Sequence, residues 1–171
     1  MLRSDKKLAE LGNVLNNGRH NEIKTRISML RSEEPFEGAL KMLAKFYDST
    51  DDEELKLIIS RFFNDLKESS GRAEVIECIS EAGKPSTKAM LASSCWQSGL
   101  DYSDHAEAIA EAFILGDYMT SLECLTVLEN CAGTVSDDDR SGIISSLERE
   151  ILKWDIEKQR LGRELISIMK Y

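Results

Sequence analysis

The chain has 171 residues, 42% of them hydrophobic, two prolines and a formal charge of −9, a size at which one domain buries enough surface to need no disulfide or metal staple. No apolar run approaches the roughly 20 residues of a membrane span, and the opening Met1-Leu2-Arg3-Ser4-Asp5 lacks the apolar core of a secretory leader. Residues 89–139 hold ten carboxylates and no lysine or arginine, a charge pattern that repels a phosphate backbone and disfavours nucleic acid as a partner.

The hydrophobic period is helical along the whole chain, and no segment alternates as a strand does. Leu8, Leu11 and Leu15 stripe a first helix at 4–16, which Asn17-Gly18 ends, and Ile23, Ile27 and Leu30 stripe a second at 20–32. Phe36, Ala39, Leu40, Leu43 and Tyr47 line a third at 35–48, with Pro35 in its first turn. Leu55, Ile58, Ile59, Phe62, Phe63 and Leu66 give a one-faced helix at 51–68, with Thr50 and Glu53 spaced for a capping box. Helices at 72–82, 86–98, 103–115 and 118–132 follow, separated by short Gly-containing links. Such links imply antiparallel neighbours.

The last segment, 138–170, opens on Ser136 and three aspartates, whose acceptors and charge suit a helix start. Ile144, Leu147, Ile151, Trp154, Leu161, Leu165 and Ile168 follow a three–four spacing, with Lys158 in the remaining seam position. A long capping helix, or two helices broken near Gly162, accounts for it. The same heptads offer a seam for a second copy over 144–168.

A shift of 50 residues brings Pro35 onto Pro85, Phe46 onto Trp96, Ile59 onto Ile109 and Phe63 onto Phe113. Matching helix starts and inner-face positions are the signature of stacked helical units. The stretches PFEGALKMLAKFYDSTDDEELKLIISRFFNDLKESSGRAEVIECI and MLASSCWQSGLDYSDHAEAIAEAFILGDYMTSLECLTVLE resemble HEAT-type, armadillo-like repeats, in particular small stand-alone bacterial HEAT-like proteins. The resemblance covers about 35–133. It implies an all-α fold, an α-α superhelix of eight to nine antiparallel helices in a single domain over 1–171, acting as a scaffold for protein contacts. It carries over no catalytic residue.

The residues themselves hold little chemistry. Ser94-Cys95-Trp96 partly resembles the nucleophile segment of papain-like proteases, but no glutamine precedes Cys95, and the only histidines are His20 and His105. A nucleophilic thiol needs nearby positive charge to lower its pKa, and Cys95 sits in the run without lysine or arginine. The four cysteines, Cys78, Cys95, Cys124 and Cys131, are dispersed and read as buried reduced thiols of a cytoplasmic protein. Neither acidic cluster has the glycine and terminal glutamate of a calcium loop. No phosphate loop, dinucleotide turn or zinc spacing occurs. No metal, cofactor or catalytic residue is expected. A HEAT-like nucleic-acid glycosylase would need a basic groove where this chain is acidic.

A binding surface is the better expectation. The helix at 86–98 is uncharged from Ala89 onward, so it is either packed on nearly every side or presents Trp96 and Gln97 at a groove. Asp101, Tyr102 and Asp104 follow, and Asp117 and Tyr118 extend the same edge one unit later. Aromatics among carboxylates suit a protein or peptide partner with a basic segment.

Overall fold

A computed structural model describes residues 2–171. It contains ten α-helices among the described residues: α1 (Asp5–Asn17), α2 (His20–Leu30), α3 (Ala39–Ser49), α4 (Glu53–Asn64), α5 (Arg72–Glu81), α6 (Pro85–Gln97), α7 (Ala106–Leu115), α8 (Tyr118–Cys131), α9 (Asp137–Glu150) and α10 (Ile156–Met169). Two two-residue strands, β1 (Leu2–Arg3) and β2 (Phe36–Glu37), pair in parallel, Leu2 against Phe36 and Arg3 against Glu37. Strands this short leave no alternation to read, so an entirely helical chain was the expectation.

The helices pair into five hairpins, α1–α2 to α9–α10, and the hairpins stack into two layers. Each odd-numbered helix packs on the next odd one, and each even-numbered helix on the next even one. Odd helices start at 5, 39, 72, 106 and 137, steps of 34, 33, 34 and 31 residues; even helices start at 20, 53, 85, 118 and 156, steps of 33, 32, 33 and 38. The structural step is therefore about 33 residues. The 50-residue shift is one and a half steps, which lays α3 on α6 and α4 on α7. It matched helix starts and buried positions common to all the helices, and the unit it implied crosses the layers.

The expected long C-terminal helix is two helices, which raises the total from eight or nine to ten. The break is at Trp154-Asp155, not at Gly162. Asp155 caps α10, its Oδ1 accepting from the amides of Glu157 at 3.0 Å and Lys158 at 2.9 Å, which satisfies donors a continuous helix would not leave open. Gly162 lies inside α10, where a Cβ would stand 2.9 Å from Trp154 Cζ3. Its missing side chain lets the indole pack down, so it marks a close approach, not a stop. Thr50 likewise gives up the expected cap of α4 to Asp52, whose Oδ1 accepts from Glu54 N at 3.0 Å and Leu55 N at 3.1 Å.

Leu147, Leu161 and Leu165 of the heptad seam are buried in the chain's own core, with α9 packed on α7 and α10 on α8. Self-association through 144–168 thus loses its apolar seam to intrachain packing. Long-range caps tie the hairpins together. Glu74 of α5 accepts from Gly38 N at 3.1 Å and Lys41 N at 2.9 Å at the start of α3. Asp48 of α3 accepts from Lys84 N at 3.0 Å before α6. No helix among the described residues is long and apolar enough to cross a membrane.

Candidate functional site

At its C-terminal end α6 runs Ser93-Ser94-Cys95-Trp96-Gln97, and successive residues there take different faces. Leu91, Ala92 and Cys95 point into the core and are fully buried. Trp96, about 100° further round, faces away from it and remains 38% exposed. Its Nε1 donates to Glu123 Oε2 on α8 at 2.7 Å, a charge-assisted bond that fixes the ring. The indole is thus held in place while one side of it faces water.

The ring forms one wall of a cleft of about 450 Å³, closed by Gly99, Leu100, Asp101 and Tyr102 after α6 and by Val127, Asn130, Cys131 and Thr134 around the end of α8. Gly99, at φ 71°, takes the left-handed conformation that lets the chain turn sharply there. A second cleft of about 320 Å³ lies between the first two hairpins, with Leu30, Phe36, Phe62 and Leu66 in its lining. Arg31 and Asp65, both in that lining, are paired with each other.

The expected edge breaks into separate pieces. Trp96, Asp101 and Tyr102 do share the first cleft, but Tyr102 is only 2% exposed. It serves as the cleft's floor beside Cys95 and Ser98, and burial raises its hydroxyl pKa. Gln97 is engaged on both sides, accepting from Asn64 at 2.8 Å and donating to Ser93 Oγ at 2.7 Å. Asp104 is bound by Arg72, with guanidinium–carboxylate distances of 2.5 and 2.9 Å. Arg72 also donates to the Asp101 carbonyl. Asp117 and Tyr118 stand at the other end of α7 and α8, roughly 20 Å away along a 14-residue helix. Asp117 caps α8, accepting from Thr120 N at 2.9 Å, and its contacts with Thr120 hold its carboxyl below the usual range.

The cleft also uses Val127, Asn130 and Thr134, which the sequence did not single out, and Cys131, which was expected only as a buried thiol. A 33-residue step brings Trp96 and Gln97 of α6 into register with Glu129 and Asn130 of α8, the helix packed on it, so the period was the missing signal. The run without lysine or arginine does receive cations, from outside it. Arg72 reaches Asp104, Arg140 donates to the carbonyls of Ala132 and Val135, and Lys158 donates to those of Ile114 and Gly116.

Cys95 is fully buried, and its Sγ donates to the Leu91 carbonyl at 3.4 Å. Burial pushes its thiol pKa up to about 12, the reverse of what a nucleophile needs. All four cysteines are unpaired and buried, and no cluster of three or more His, Cys, Asp or Glu residues suited to a metal occurs among the described residues.

No protein-family model, curated protein or solved structure matches the chain.

Proposed function

We propose that this protein is a non-catalytic scaffold of the HEAT- or armadillo-like kind, which binds an extended segment of a partner protein at the cleft beside Trp96. The observation that carries the reading is the indole itself. A tryptophan oriented by Glu123 yet open to solvent over a cleft is the kind of rigid aromatic anchor that dominates protein interfaces. Leu100, Tyr102 and Val127 offer the cleft an apolar interior, while Asn130, Thr134 and the exposed Asp101 supply polar groups at its walls. Two stacked layers of hairpins support the superhelical part of the reading. The even layer, which carries Trp96, packs more tightly than the odd one and is the concave side in this reading. The 33-residue step is shorter than the roughly 40–47 residues of HEAT units and close to the roughly 34 of tetratricopeptide units. The proposal therefore rests on the hairpin array those architectures share.

The charge of the partner segment is narrowed by Arg72. With Asp104 paired to Arg72, Asp101 and Glu123 are the carboxylates without a cation beside the cleft. Asp101 accepts from Ser103 N at 2.9 Å and Glu123 from the indole, so the segment carries a lysine or arginine next to an apolar side chain. The test is affinity capture with wild type and with Trp96→Ala and Asn130→Lys variants. The reading expects both substitutions to lose the same captured protein while helicity is unchanged. Undiminished capture by both variants rejects it.

A further inference from the structure

Five of the nine large apolar side chains left exposed among the described residues gather at one end of the last two hairpins: Leu115, Tyr118, Met119, Leu152 and Ile156, with exposures from 39% to 81%. Their co-location follows from the packing beneath them. Lys158 Nζ donates to the carbonyls of Ile114 at 2.8 Å and Gly116 at 2.6 Å, and Trp154 meets Phe113 edge-on at 5.8 Å. These bonds bring the α9–α10 link against the α7–α8 link. Leu115, Tyr118 and Met119 flank one link, and Leu152 and Ile156 flank the other. An exposed apolar cluster of this kind marks an interaction surface more often than scattered single residues do.

The charges around the cluster indicate its occupant. Asp117, Asp155 and Glu157 are exposed and lie within two residues of the apolar positions, with Asp117 and Asp155 both in electrostatic reach of Lys158. Of the nearby cations, Lys158 is buried under the links and Lys153 is held by Glu150 at 2.8 Å. Arg160, one turn along α10, is the cation at the margin. A second copy of the chain, at −9 overall, would bring the same carboxylates face to face in a two-fold contact. A basic segment meets complementary charge instead.

We propose that the Leu115–Ile156 end docks a basic amphipathic helix of a partner protein, at a surface separate from the Trp96 cleft. The test measures fluorescence anisotropy of a labelled model helix made of leucine and lysine, and of its leucine–glutamate counterpart. Three variants serve: Leu115→Ser with Leu152→Ser, Asp117→Asn with Asp155→Asn, and Trp96→Ala. Asparagine caps a helix about as well as aspartate, so the second pair removes charge and keeps α8 and α10 capped. The lysine peptide should bind wild type and Trp96→Ala equally. The serine pair should bind it about tenfold more weakly, and the asparagine pair should bind more weakly with a reduced salt dependence. Undiminished binding by the serine pair, or equal binding of the glutamate peptide, overturns the proposal. So does wild-type dimerisation in sedimentation, or flotation with phosphatidylcholine vesicles, if the serine pair abolishes it. Loss of partner capture by Trp96→Ala with peptide binding intact separates this surface from the cleft.

Discussion

The Lys158 ammonium sits at the C-terminal mouth of α7, 2.6 Å from the carbonyl oxygen of Gly116. The same nitrogen satisfies Ile114 O at 2.8 Å and lies 4.8 Å from the centre of the Trp154 ring. A cation at a helix C-terminus answers both the unpaired carbonyls and the dipole. Desolvation lowers the Lys158 pKa, and Asp155 and Asp117 oppose that shift. Lys158→Met keeps the stem but orphans two carbonyls, and it should cost roughly 2 kcal/mol or more. Urea unfolding followed by circular dichroism measures it; a loss well under 1 kcal/mol would show that water replaces the ammonium.

Gly162→Ala tests the packing of the final hairpin. The new Cβ would stand 2.9 Å from Trp154 Cζ3 and 3.2 Å from Ile151 Cδ1, and the indole is itself pinned between Phe113 and Lys158. Overpacking of this kind costs about 1–3 kcal/mol, although alanine is the better helix former. Increased stability of the variant would contradict the close approach.

Much of this architecture was legible in the residues. Leu55, Ile59, Phe62 and Phe63 announced α4 because a helix buried on one side must repeat its apolar residues at that spacing. The C-terminal heptads were equally plain, but spacing does not say which surface covers a seam. Here α7 and α8, from the same chain, cover it. The 50-residue shift misled because buried apolar residues recur in every helix, and Gly stops end helices of both layers, as at Gly18, Gly83, Gly99, Gly116 and Gly133. The layer-specific signal was sparser: Asp52, Asp117 and Asp155 cap three of the even helices, α4, α8 and α10, while Asp48 of α3 accepts from Lys84 N just before α6. The acidic edge was overread for a related reason. Arg72, Arg140 and Lys158 lie outside the run without lysine or arginine and reach it only in the fold.

The seam between the first two hairpins should respond to pH. His20 Nδ1 is 2.7 Å from Asp52 Oδ2, and its Nε2 is 3.1 Å from Glu54 Oε2, which Lys24 also engages through Oε1 at 2.7 Å. The hydrogen bond to Asp52 is the main cause that raises the His20 pKa above 6.5. Its contribution is fully present below 6.5 and is lost as pH rises through the folded-state value. The lowered pKa values of Asp52 and Glu54 work the other way: their contribution holds above the ordinary carboxylate range and is lost as pH falls through the folded-state values. The seam is therefore tightest between the carboxylate range and the His20 titration. Proton NMR titration should place His20 above 6.5 in wild type and lower in Asp52→Asn; equal values would contradict the pairing.

The thiols of Cys95 and Cys124 should be silent in the native protein. Both side chains are fully buried, and burial pushes the Cys95 pKa up to about 12. A thiolate-reactive reagent at pH 8 should label neither until denaturant is added, as peptide mapping would show. Rapid native labelling at Cys95 would revive a nucleophilic role.

The proposed docking function is tested most directly by photo-crosslinking in cells. A benzoyl-phenylalanine placed at Asn130, on the wall opposite Trp96, is compared with one at Ser141, exposed on α9. The account predicts a single protein adduct at position 130 that is absent at 141 and lost when Trp96→Ala is added. Adducts of equal yield at both positions, or an adduct at 130 indifferent to Trp96→Ala, would contradict it.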